Sequence, residues 1–482
     1  MWFSKQVKRL FLTCLIVLII TILIDYYSVS RKYKSEVSFD GIETSTIETN
    51  DLLLDIYSEG IFSRNSKVLV STSESITGKS YIFAASRNNN VLKSFEFQKK
   101  KNYLKEVSEL ELKHSESTFR ESNGLRKSKY FIFDLLTLEN KIFASVVRTY
   151  DGDKKCDDVM ILAINFDKET GRLLGEEKSW QYNGCLKWRD DAEPSGNLSL
   201  RLAANSVSIF MAVGLEPVLP YTNVFPNNAL IGLPATLEAT LNNNPIFGSI
   251  VKIPISSEDI HDYNVVARGL RSPQGLLYVS RKDYPSELWI SDHGPRGGDE
   301  LNILRLENKK VDFGWPKVSL GTYYMNSDGQ TPGSLPVKFG YHGGYKAPIF
   351  YWTPSIAPSQ ISEIPGSFSS ISTQWGKNNL ILATLKDSSL HKLNIGYDYH
   401  VASDERIFIG ERLRDITYNS EGIVLGTDSG KMLLVTPRQM KIHTGSFPPT
   451  LIYSEPQKPS FSRYLKSRFQ ELLGRTNSVL GR

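Results

Sequence analysis

The chain has 482 residues, which allows one large domain or two of ordinary size. Its 57 basic side chains nearly balance its 52 acidic ones, so the charge gives no indication of a nucleic-acid partner. Three cysteines are too few for a disulfide-dense scaffold, and their spacing is not that of metal ligands.

Residues 1–30 have the pattern of a targeting segment. Basic residues precede an apolar run from Leu10 to Ile24, which Asp25 ends. The run is long for a signal-peptide core and short for a spanning helix, which needs about 20 residues. We favour an uncleaved signal anchor or transmembrane helix over a signal peptide cleaved near Ser30. In both cases the body is exported. With the anchor retained, we expect a membrane-anchored, extracytoplasmic protein on the periplasmic or outer face of the cytoplasmic membrane.

Residues 31–60 are polar and rich in Ser and Thr, and we interpret them as a linker. From Ile61 to about residue 440, short strand candidates alternate with turn clusters, and long helical periodicity is missing. The strand candidates in the first half are Val68–Thr72, Tyr81–Ala85, Tyr130–Leu135, Ile142–Val147, Val159–Asn165, Val207–Val213 and Ile250–Ile255. This pattern predicts a sandwich, a barrel or a propeller, and no readable repeat chooses among them.

Two features of this region stay open. Cys156 and Cys185 flank a strand-turn-strand segment, and they either pair in an oxidising compartment or remain free thiols. Residues 215–246 are rich in Pro and Asn and predict a long inserted loop, of a length that is usually functional or mobile.

The stretch Arg271–Asn302 contains the highest density of candidate functional residues. Two strand-like runs, Leu276–Val279 and Leu288–Ser291, lead into or out of polar clusters. The second cluster places acidic, basic and imidazole side chains around three glycines: Asp292, His293, Arg296, Asp299 and Glu300, with Gly294, Gly297 and Gly298. Carboxylates and backbone carbonyls in a tight Gly-Pro turn suit a hard cation such as Ca²⁺. The alternative is a glycine-rich hairpin loop with solvated charges.

Several motifs, in order, resemble one family. R-S-P-Q-G begins at Arg271, and D-H-G-P-R-G-G-D-E-L-N begins at Asp292. D-F-G-W-P at Asp312, Y-W-T-P-S-I-A-P-S at Tyr351 and R-L-R-D at Arg412 follow. Together they resemble the glucose/sorbosone dehydrogenase family, the soluble quinoprotein aldose dehydrogenases. The resemblance is clear from about residue 247 to residue 437. It implies an all-β, six-bladed β-propeller that binds pyrroloquinoline quinone (PQQ) and Ca²⁺ and oxidises the anomeric carbon of sugars.

The resemblance also implies residue roles. The cofactor-binding residues would be Arg271, Ser272, Gln274, Trp352, Lys386, Arg412 and Arg414. The backbone carbonyls of Gly294 and Pro295 would bind Ca²⁺, and Asp299 would orient the catalytic base. Ser272 replaces a family asparagine, so one contact is altered. Guanidinium groups bind carboxylates bidentately, which suits a planar tri-acid cofactor. Arg412 and Arg414 share one face of a strand, and their alternative interpretation is a pair of solvated side chains.

The catalytic base is the weak point of the resemblance. The family uses a histidine in an H-x-G-x-R-L-like stretch, and the best counterpart here places Asn197 at that position. An amide cannot accept a proton at ordinary pH. Three explanations stay open: another base such as His114 or the carboxylates at 190 and 191, His293 acting from the opposite side, or binding without turnover. His293 is interpreted either as a pocket residue or as a local hydrogen-bonding group.

The C-terminal tail has a different composition. After Pro459, basic residues lie beside apolar residues that fall roughly on one helical face. The apolar residues are Phe461, Leu465, Phe469, Leu472 and Leu473. A short basic amphipathic helix of this kind lies on an anionic membrane or packs back onto the propeller.

The predicted organisation is an anchor (1–30), a linker (31–60), a propeller (61–440) and a basic tail (441–482). The predicted function is a PQQ-dependent aldose dehydrogenase-like oxidoreductase. It would transfer hydride from the anomeric carbon of a sugar to a Ca-bound quinone, and pass electrons to a membrane quinone or cytochrome. The alternative is a non-catalytic propeller, a binding module that has lost the catalytic histidine.

Overall fold

The computed structural model describes residues 35–440 with internal gaps. The gaps are residues 40–41, 88, 99–102, 113–127, 151–157, 185–197, 215–245, 281–284, 295–296, 308, 316, 322–337, 340–341 and 377–378. The predicted anchor, the tail beyond residue 440, both paired-cysteine candidates and nearly all of the predicted long loop therefore lie outside the described residues. Within the described part, no helix is long and apolar enough to cross a membrane.

The described residues form seven sheets, and the six larger ones, which are predominantly antiparallel, each form one blade. Blade 1 contains β4 (Val68–Glu74), β5 (Ser80–Ser86), β6 (Val91–Gln98) and β7 (Tyr103–Glu111). Blade 2 contains β8 (Ser128–Leu138), β9 (Lys141–Tyr150), β10 (Asp158–Phe166) and β11 (Leu173–Gln181). Blade 3 contains β12 (Leu200–Ala204), β13 (Ser208–Val213), β14 (Ser249–Pro254) and β15 (Asn264–Arg268), with the short β19 (Val311–Asp312) parallel to β15.

The second half of the ring follows the same order. Blade 4 contains β16 (Pro273–Val279), β17 (Glu287–Asp292), β18 (Asp299–Arg305) and β22 (Phe350–Trp352). Blade 5 contains β23 (Pro358–Glu363), β24 (Asn379–Thr384), β25 (Ser389–Ile395) and β26 (Val401–Phe408). Blade 6 contains β27 (Leu413–Tyr418), β28 (Ile423–Thr427), β29 (Lys431–Gln439), β3 (Leu52–Gly60), β2 (Ile42–Glu48) and β1 (Ser35–Phe39). The remaining elements are β20 (Val318–Ser319), β21 (Lys338–Phe339), helix α1 (Gly366–Ser369) and a 3₁₀ turn (Thr373–Trp375).

The N-terminal strands close the ring. β3 pairs with β29, with Leu54 opposite Pro437, so both ends of the described part of the chain build blade 6. The prediction of a linker over residues 31–60 is wrong for this segment, which holds three strands. Leu52, Leu54 and Ile56 alternate with less buried residues, which is the period of a strand with one buried face. The Ser/Thr-rich composition hid this alternation.

Each pair of neighbouring blades shares its own apolar cluster, so the core is divided among the blade interfaces. Trp180 and Ile253, for example, belong to the cluster between blades 2 and 3, and Trp375 and Leu433 to the cluster between blades 5 and 6. Both faces of some second strands of the blades are buried, as in β5 and β24, where every residue is buried. Continuous apolar runs rather than strict alternation follow from this two-sided burial. The fold class predicted from the sequence, an all-β propeller, is confirmed.

The innermost strands β4, β8, β12, β16, β23 and β27 contact one another in a closed ring. Polar side chains join strands that do not share a sheet. Gln360 accepts a hydrogen bond from the Leu276 N–H at 2.7 Å, and the Ser359 hydroxyl donates to the Leu413 carbonyl at 2.7 Å. A cavity of about 570 Å³ lies on the axis, lined by residues near the carboxyl ends of the six inner strands. The site described next lies at their opposite, amino-terminal end.

Candidate functional site

Four predicted cofactor and metal residues lie at one end of the propeller axis. Arg271 and Arg412 precede the innermost strands β16 and β27, while Gly294 and Lys386 follow β17 and β24. In an antiparallel blade, the start of the first strand and the turn after the second strand lie at the same edge. The topology therefore brings together residues that are up to 141 positions apart in the sequence (412 − 271).

Arg271 is fixed by its backbone and its side chain. Its N–H donates to Asp292 Oδ2 at 2.9 Å, and its Nη1 donates to the carbonyls of His293 at 3.1 Å and Gly294 at 3.0 Å. The guanidinium carbon lies 5.6 Å from the ring centroid of Trp315, within cation–π range. The D-H-G turn and the D-F-G-W-P motif thus both hold one arginine.

The turn around Gly294 tolerates no side chain at that position. A Cβ there would lie 2.3 Å from the Gly297 carbonyl oxygen and 2.4 Å from the Gly298 carbonyl oxygen. Such contacts are far below van der Waals distance, so this close approach of backbone to backbone requires glycine.

His293 is partly buried beside three charged groups. Its Nε2 lies 2.7 Å from the Pro358 carbonyl, which can only accept, so Nε2 carries the hydrogen and Nδ1 is the acceptor of the neutral ring. Burial lowers the pKa of His293; the charge of Asp299 opposes this, and the charges of Arg271 and Arg414 add to it. The site therefore favours a neutral imidazole in a defined tautomer.

Asp299 fastens two loops together. Its Oδ1 accepts from the Gly294 N–H at 3.0 Å. Its Oδ2 accepts from the Ser355 hydroxyl at 2.6 Å and from the N–H groups of Ile356 and Ala357 at 2.9 and 2.8 Å. Ala357 has a φ of 52°, a left-handed conformation that is unfavourable for alanine and that this carboxylate helps to hold. Asp299 thus links the turn at Gly294 to the loop that contains Ile356 and Ala357.

Arg412, Arg414 and Asp428 form the cationic edge of the site. Arg414 grips Asp428 with two bonds of 2.7 and 2.9 Å, and Arg412 adds a third at 3.1 Å. Burial acts to raise the pKa of Asp428, but the hydrogen bonds and charges of Arg414 and Arg412 outweigh it and lower the pKa below its usual value. Two guanidinium groups on one carboxylate leave a surplus positive charge. The Arg412 side chain is 53% exposed, so this surplus faces solvent.

Lys386 lies next to this edge. Its backbone N–H bonds to the Ile356 carbonyl at 3.2 Å, and Arg412 Nη1 reaches the neighbouring Leu385 carbonyl at 3.4 Å. The Lys386 side chain is exposed. We call Arg271, Lys386, Arg412 and Arg414 the cationic site.

Three other predicted cofactor residues have mainly internal contacts. The Ser272 N–H donates to Asp292 Oδ1 at 2.6 Å, and Gln274 Nε2 donates to the Ser272 hydroxyl at 2.9 Å; both side chains are buried. Trp352 is buried between blades 4 and 5, where its Nε1 donates to Asp404 Oδ2 at 2.9 Å and its ring packs edge-on against His391. Because the indole packs between outer strands, we expect a packing role for Trp352 in place of the cofactor-lining role that the resemblance implies.

The predicted Ca²⁺ ligands are only partly described. Pro295 lies outside the described residues, and the Gly294 carbonyl accepts from the Arg271 guanidinium. Among the residues that the structure describes, no group of three or more His, Cys, Asp or Glu side chains is placed to hold a metal ion. Ca²⁺ binding through the carbonyls of Gly294 and Pro295 therefore stays a prediction. The four cations, in contrast, fit a ligand with several carboxylates.

A small cavity beside Arg271 is not predicted by any sequence motif. It is lined by Asp292, Glu300, Trp315 and His342, among others, and its volume of about 10 Å³ is close to that of one water position. His342 Nε2 lies 3.5 Å from Glu300 Oε1. Burial, with the charge of Glu300, raises the pKa of Asp292 to about 7. His342 begins a turn that belongs to no motif, so the sequence carried no signal for it.

The fold and the site together define a six-bladed β-propeller with a cluster of cations at one end of its axis. Residues 248–435 match the Glucose / Sorbosone dehydrogenase family. This match and the relatives below confirm, over this segment, the resemblance predicted from the motifs.

Individual relatives agree with this assignment. Aldose sugar dehydrogenase YliI of Escherichia coli (strain K12) is 33% identical over 176 residues, which cover 35% of this chain and 43% of the relative. The uncharacterized protein slr1608 of Synechocystis sp. (strain ATCC 27184 / PCC 6803 / Kazusa) is 27% identical over 298 residues, covering 59% of this chain and 61% of the relative. The chain thus spans less than two thirds of the length of either relative.

Solved structures support the fold. The soluble aldose sugar dehydrogenase of Escherichia coli in its apo-form has a TM-score of 0.52 at 18% identity, covering 80% of this chain and 100% of that one. A glucose dehydrogenase has a TM-score of 0.54 at 19% identity, covering 79% and 98%. At these identities the likeness establishes the propeller fold alone.

Proposed function

We propose that this protein is a quinoprotein oxidoreductase of the aldose dehydrogenase type, with PQQ as its cofactor. The observation that carries the proposal is the cationic site, where two arginines share the single carboxylate of Asp428 and one of them is half exposed. A planar tri-acid would neutralise this surplus charge, and guanidinium groups bind carboxylates in bidentate geometry. When bound, the quinone supplies a two-electron acceptor for hydride from the anomeric carbon of a sugar.

Some residues would bind the ligand directly, and others would support the binding site. Arg412 and Lys386 are the exposed cations, and they would bind carboxylates directly. Arg414, which is buried, would place a fixed positive charge beneath the ligand and stabilise negative charge that develops there. Asp299 and Asp292 hold the surrounding backbone, so the donors need little reorganisation on binding.

Proton removal from the sugar hydroxyl needs a base. Asn197 lies outside the described residues, so its place relative to the site stays a prediction. His293 has the chemistry of a base, a neutral imidazole whose Nε2 is committed to Pro358. General-base catalysis contributes about 10²–10⁴ in rate, so its loss would leave weak or unusual activity with simple aldoses. We propose such activity.

Ca²⁺ binding, membrane anchoring and electron transfer to a membrane acceptor are further proposals. Ca²⁺ binding would require the Gly294 carbonyl to exchange the Arg271 guanidinium for the metal ion. Residues 1–30 would hold the propeller on the outer face of the cytoplasmic membrane, where a membrane quinone or cytochrome would accept the electrons. Release of the full-length protein by salt alone, without detergent, would contradict the anchor.

A non-catalytic propeller remains the second candidate. Asn197 in place of the family histidine favours it. It would retain the cationic site and bind an anionic or sugar ligand without turnover.

A dye-linked assay with quinone-loaded protein separates the two candidates. We expect slow oxidation of aldoses by the wild type and faster oxidation by Asn197→His. Robust wild-type glucose oxidation that Asn197→His leaves unchanged or lowers would show that the base has been misplaced. Complete inactivity of both proteins, with the quinone bound, would favour the binding module.

A further inference from the structure

A buried arginine lies at the centre of the ring of inner strands. Arg201, on β12, is 2% exposed. Its Nη1 lies 3.1 Å from Asp134 Oδ1 on β8 and 3.3 Å from Asp415 Oδ1 on β27. Its Nη2 donates to the carbonyl of Arg414 at 2.9 Å. One guanidinium thus touches two carboxylates and the backbone of a cationic-site residue.

The two carboxylates join further blades. Asp134 Oδ2 accepts from the Leu202 N–H of blade 3 at 2.7 Å, and Asp415 Oδ2 accepts from the Val70 N–H of blade 1 at 2.9 Å. Both aspartates lie at β-bulges of innermost strands, Asp134 in the middle of β8 and Asp415 near the start of β27. Because a bulge redirects a side chain, it lets these carboxylates reach across the channel. The cluster therefore connects blades 1, 2, 3 and 6.

The charges in the cluster do not balance. Asp134 and Asp415 are each 1% exposed, and Arg201 is the single cation that contacts them among the described residues. A buried charge without a partner is strongly unfavourable, so one of the two carboxylates retains a proton to higher pH than a solvated aspartate does. Burial raises the pKa of Asp415 to about 7, with the charge of Asp134 adding to the effect, and burial also raises the pKa of Asp134. The proton belongs to the pair rather than to either residue.

The groups that face the pair are few. Arg201 approaches from β12, and β4 contributes the Val70 N–H. On β27 itself, Arg414 lies next to Asp415. The Arg414 side chain bonds to Asp428, and its charge also lowers the pKa of His293. The cluster is thus one residue away from the cationic site and lies beneath it on the axis.

We propose that Asp134, Arg201 and Asp415 form an axial clasp that positions Arg414 and binds one proton, so that ligand affinity at the cationic site depends on the protonation of the clasp. This proposal rests on the proposed quinone site. With the proton bound the clasp is neutral, and without it a buried negative charge lies below the ligand. Arg201 and Asp415 are positioning residues, since they act through the backbone and charge of Arg414.

Asp415→Asn tests the clasp because it preserves shape and removes one carboxylate, leaving the clasp neutral at every pH near neutrality. Asp134→Asn serves as the second variant. Asp158→Asn is the matched control, because Asp158 pairs with Arg148 on neighbouring strands of blade 2, away from the axis. The measurements are the affinity for PQQ by calorimetry at about pH 5.5 and about pH 8.5, and thermal unfolding over the same range.

The wild type and the Asp158→Asn control should lose about three- to tenfold more affinity between the two pH values than Asp415→Asn does. Because the folded pKa of Asp415 is raised, its stabilising contribution is complete below about pH 4 and is lost as the pH rises towards about 7. The unfolding temperature of Asp415→Asn should therefore rise relative to the wild type across this range.

Identical pH dependence of affinity in the wild type and Asp415→Asn would overturn the positioning role. Parallel unfolding profiles would overturn the bound proton. If the wild type binds no PQQ at either pH, the proposed function fails, and the unfolding profiles decide on the proton by themselves.

Discussion

The Arg271 Nη1 lies 3.0 Å from the carbonyl oxygen of Gly294, the atom that the family resemblance assigns to calcium. The chain's own cation thus holds the turn in the position where a metal ion would bind. The same guanidinium bonds the His293 carbonyl at 3.1 Å, so one side chain stabilises the whole D-H-G turn.

Removing this side chain should loosen the turn. Arg271→Ala loses two hydrogen bonds from a charged donor, each worth about 1.5–3 kcal/mol before solvent screening. We expect a lower unfolding temperature and faster amide exchange at Gly294. Arg268→Ala is the control, since Arg268 is an exposed arginine at the end of β15 in the neighbouring blade. Equal stability of the two variants would show that Arg271 does not hold the turn.

Arg412→Ala should weaken quinone binding without destabilising the fold. The lost charge-assisted bonds are worth about 1.5–3 kcal/mol each before screening, while Asp428 keeps its two bonds to Arg414. Arg438→Ala is a close match, because Arg438 is also 53% exposed and also pairs with an aspartate, Asp55. Calorimetry should give tighter binding for Arg438→Ala than for Arg412→Ala. If both bind PQQ equally, the cationic site does not grip the ligand as described.

Asp428 should make the fold sensitive to acid. Its pKa is lowered in the folded state, so its contribution is present above the unfolded pKa of about 3.9 and is lost as the pH falls through the folded value. Asp428→Asn should therefore be less stable than the wild type at neutral pH, and the difference should shrink below about pH 4. Urea unfolding at several pH values measures this. A difference that grows towards acid would contradict the assigned direction.

Trp352→Phe distinguishes packing from cofactor contact. The variant removes the hydrogen bond to Asp404 and leaves a partly buried carboxylate short of one donor, a loss of about 1–3 kcal/mol. Stability should fall while the affinity for PQQ stays the same. A fall in affinity with unchanged stability would restore the cofactor-lining role.

The residues of the site that lie close together in sequence were predictable, and those that meet only through the ring were not. Arg271, Gly294 and Asp299 belong to one β16–β18 hairpin region, and local motifs identify them. The clasp joins Asp134 to Asp415, which are 281 positions apart (415 − 134), and pairing over such distances leaves no local signal. A charged residue within the apolar run of β8 was the one available indication of Asp134.

The closure of the ring could not be predicted from the sequence for the same reason. Whether residues 52–60 form a linker or a strand depends on β29, almost 400 positions later, because that strand supplies the hydrogen-bond partners. The role of Trp352 depends on Asp404 of the next blade in the same way. Motif similarity identified the position of this tryptophan but not the direction of its side chain.

Titration of the purified wild-type protein with PQQ, with and without Ca²⁺, tests the central claim most directly. The cationic site predicts saturable one-to-one binding that added salt weakens and Arg412→Ala reduces. Absence of binding both with and without Ca²⁺ would contradict the account.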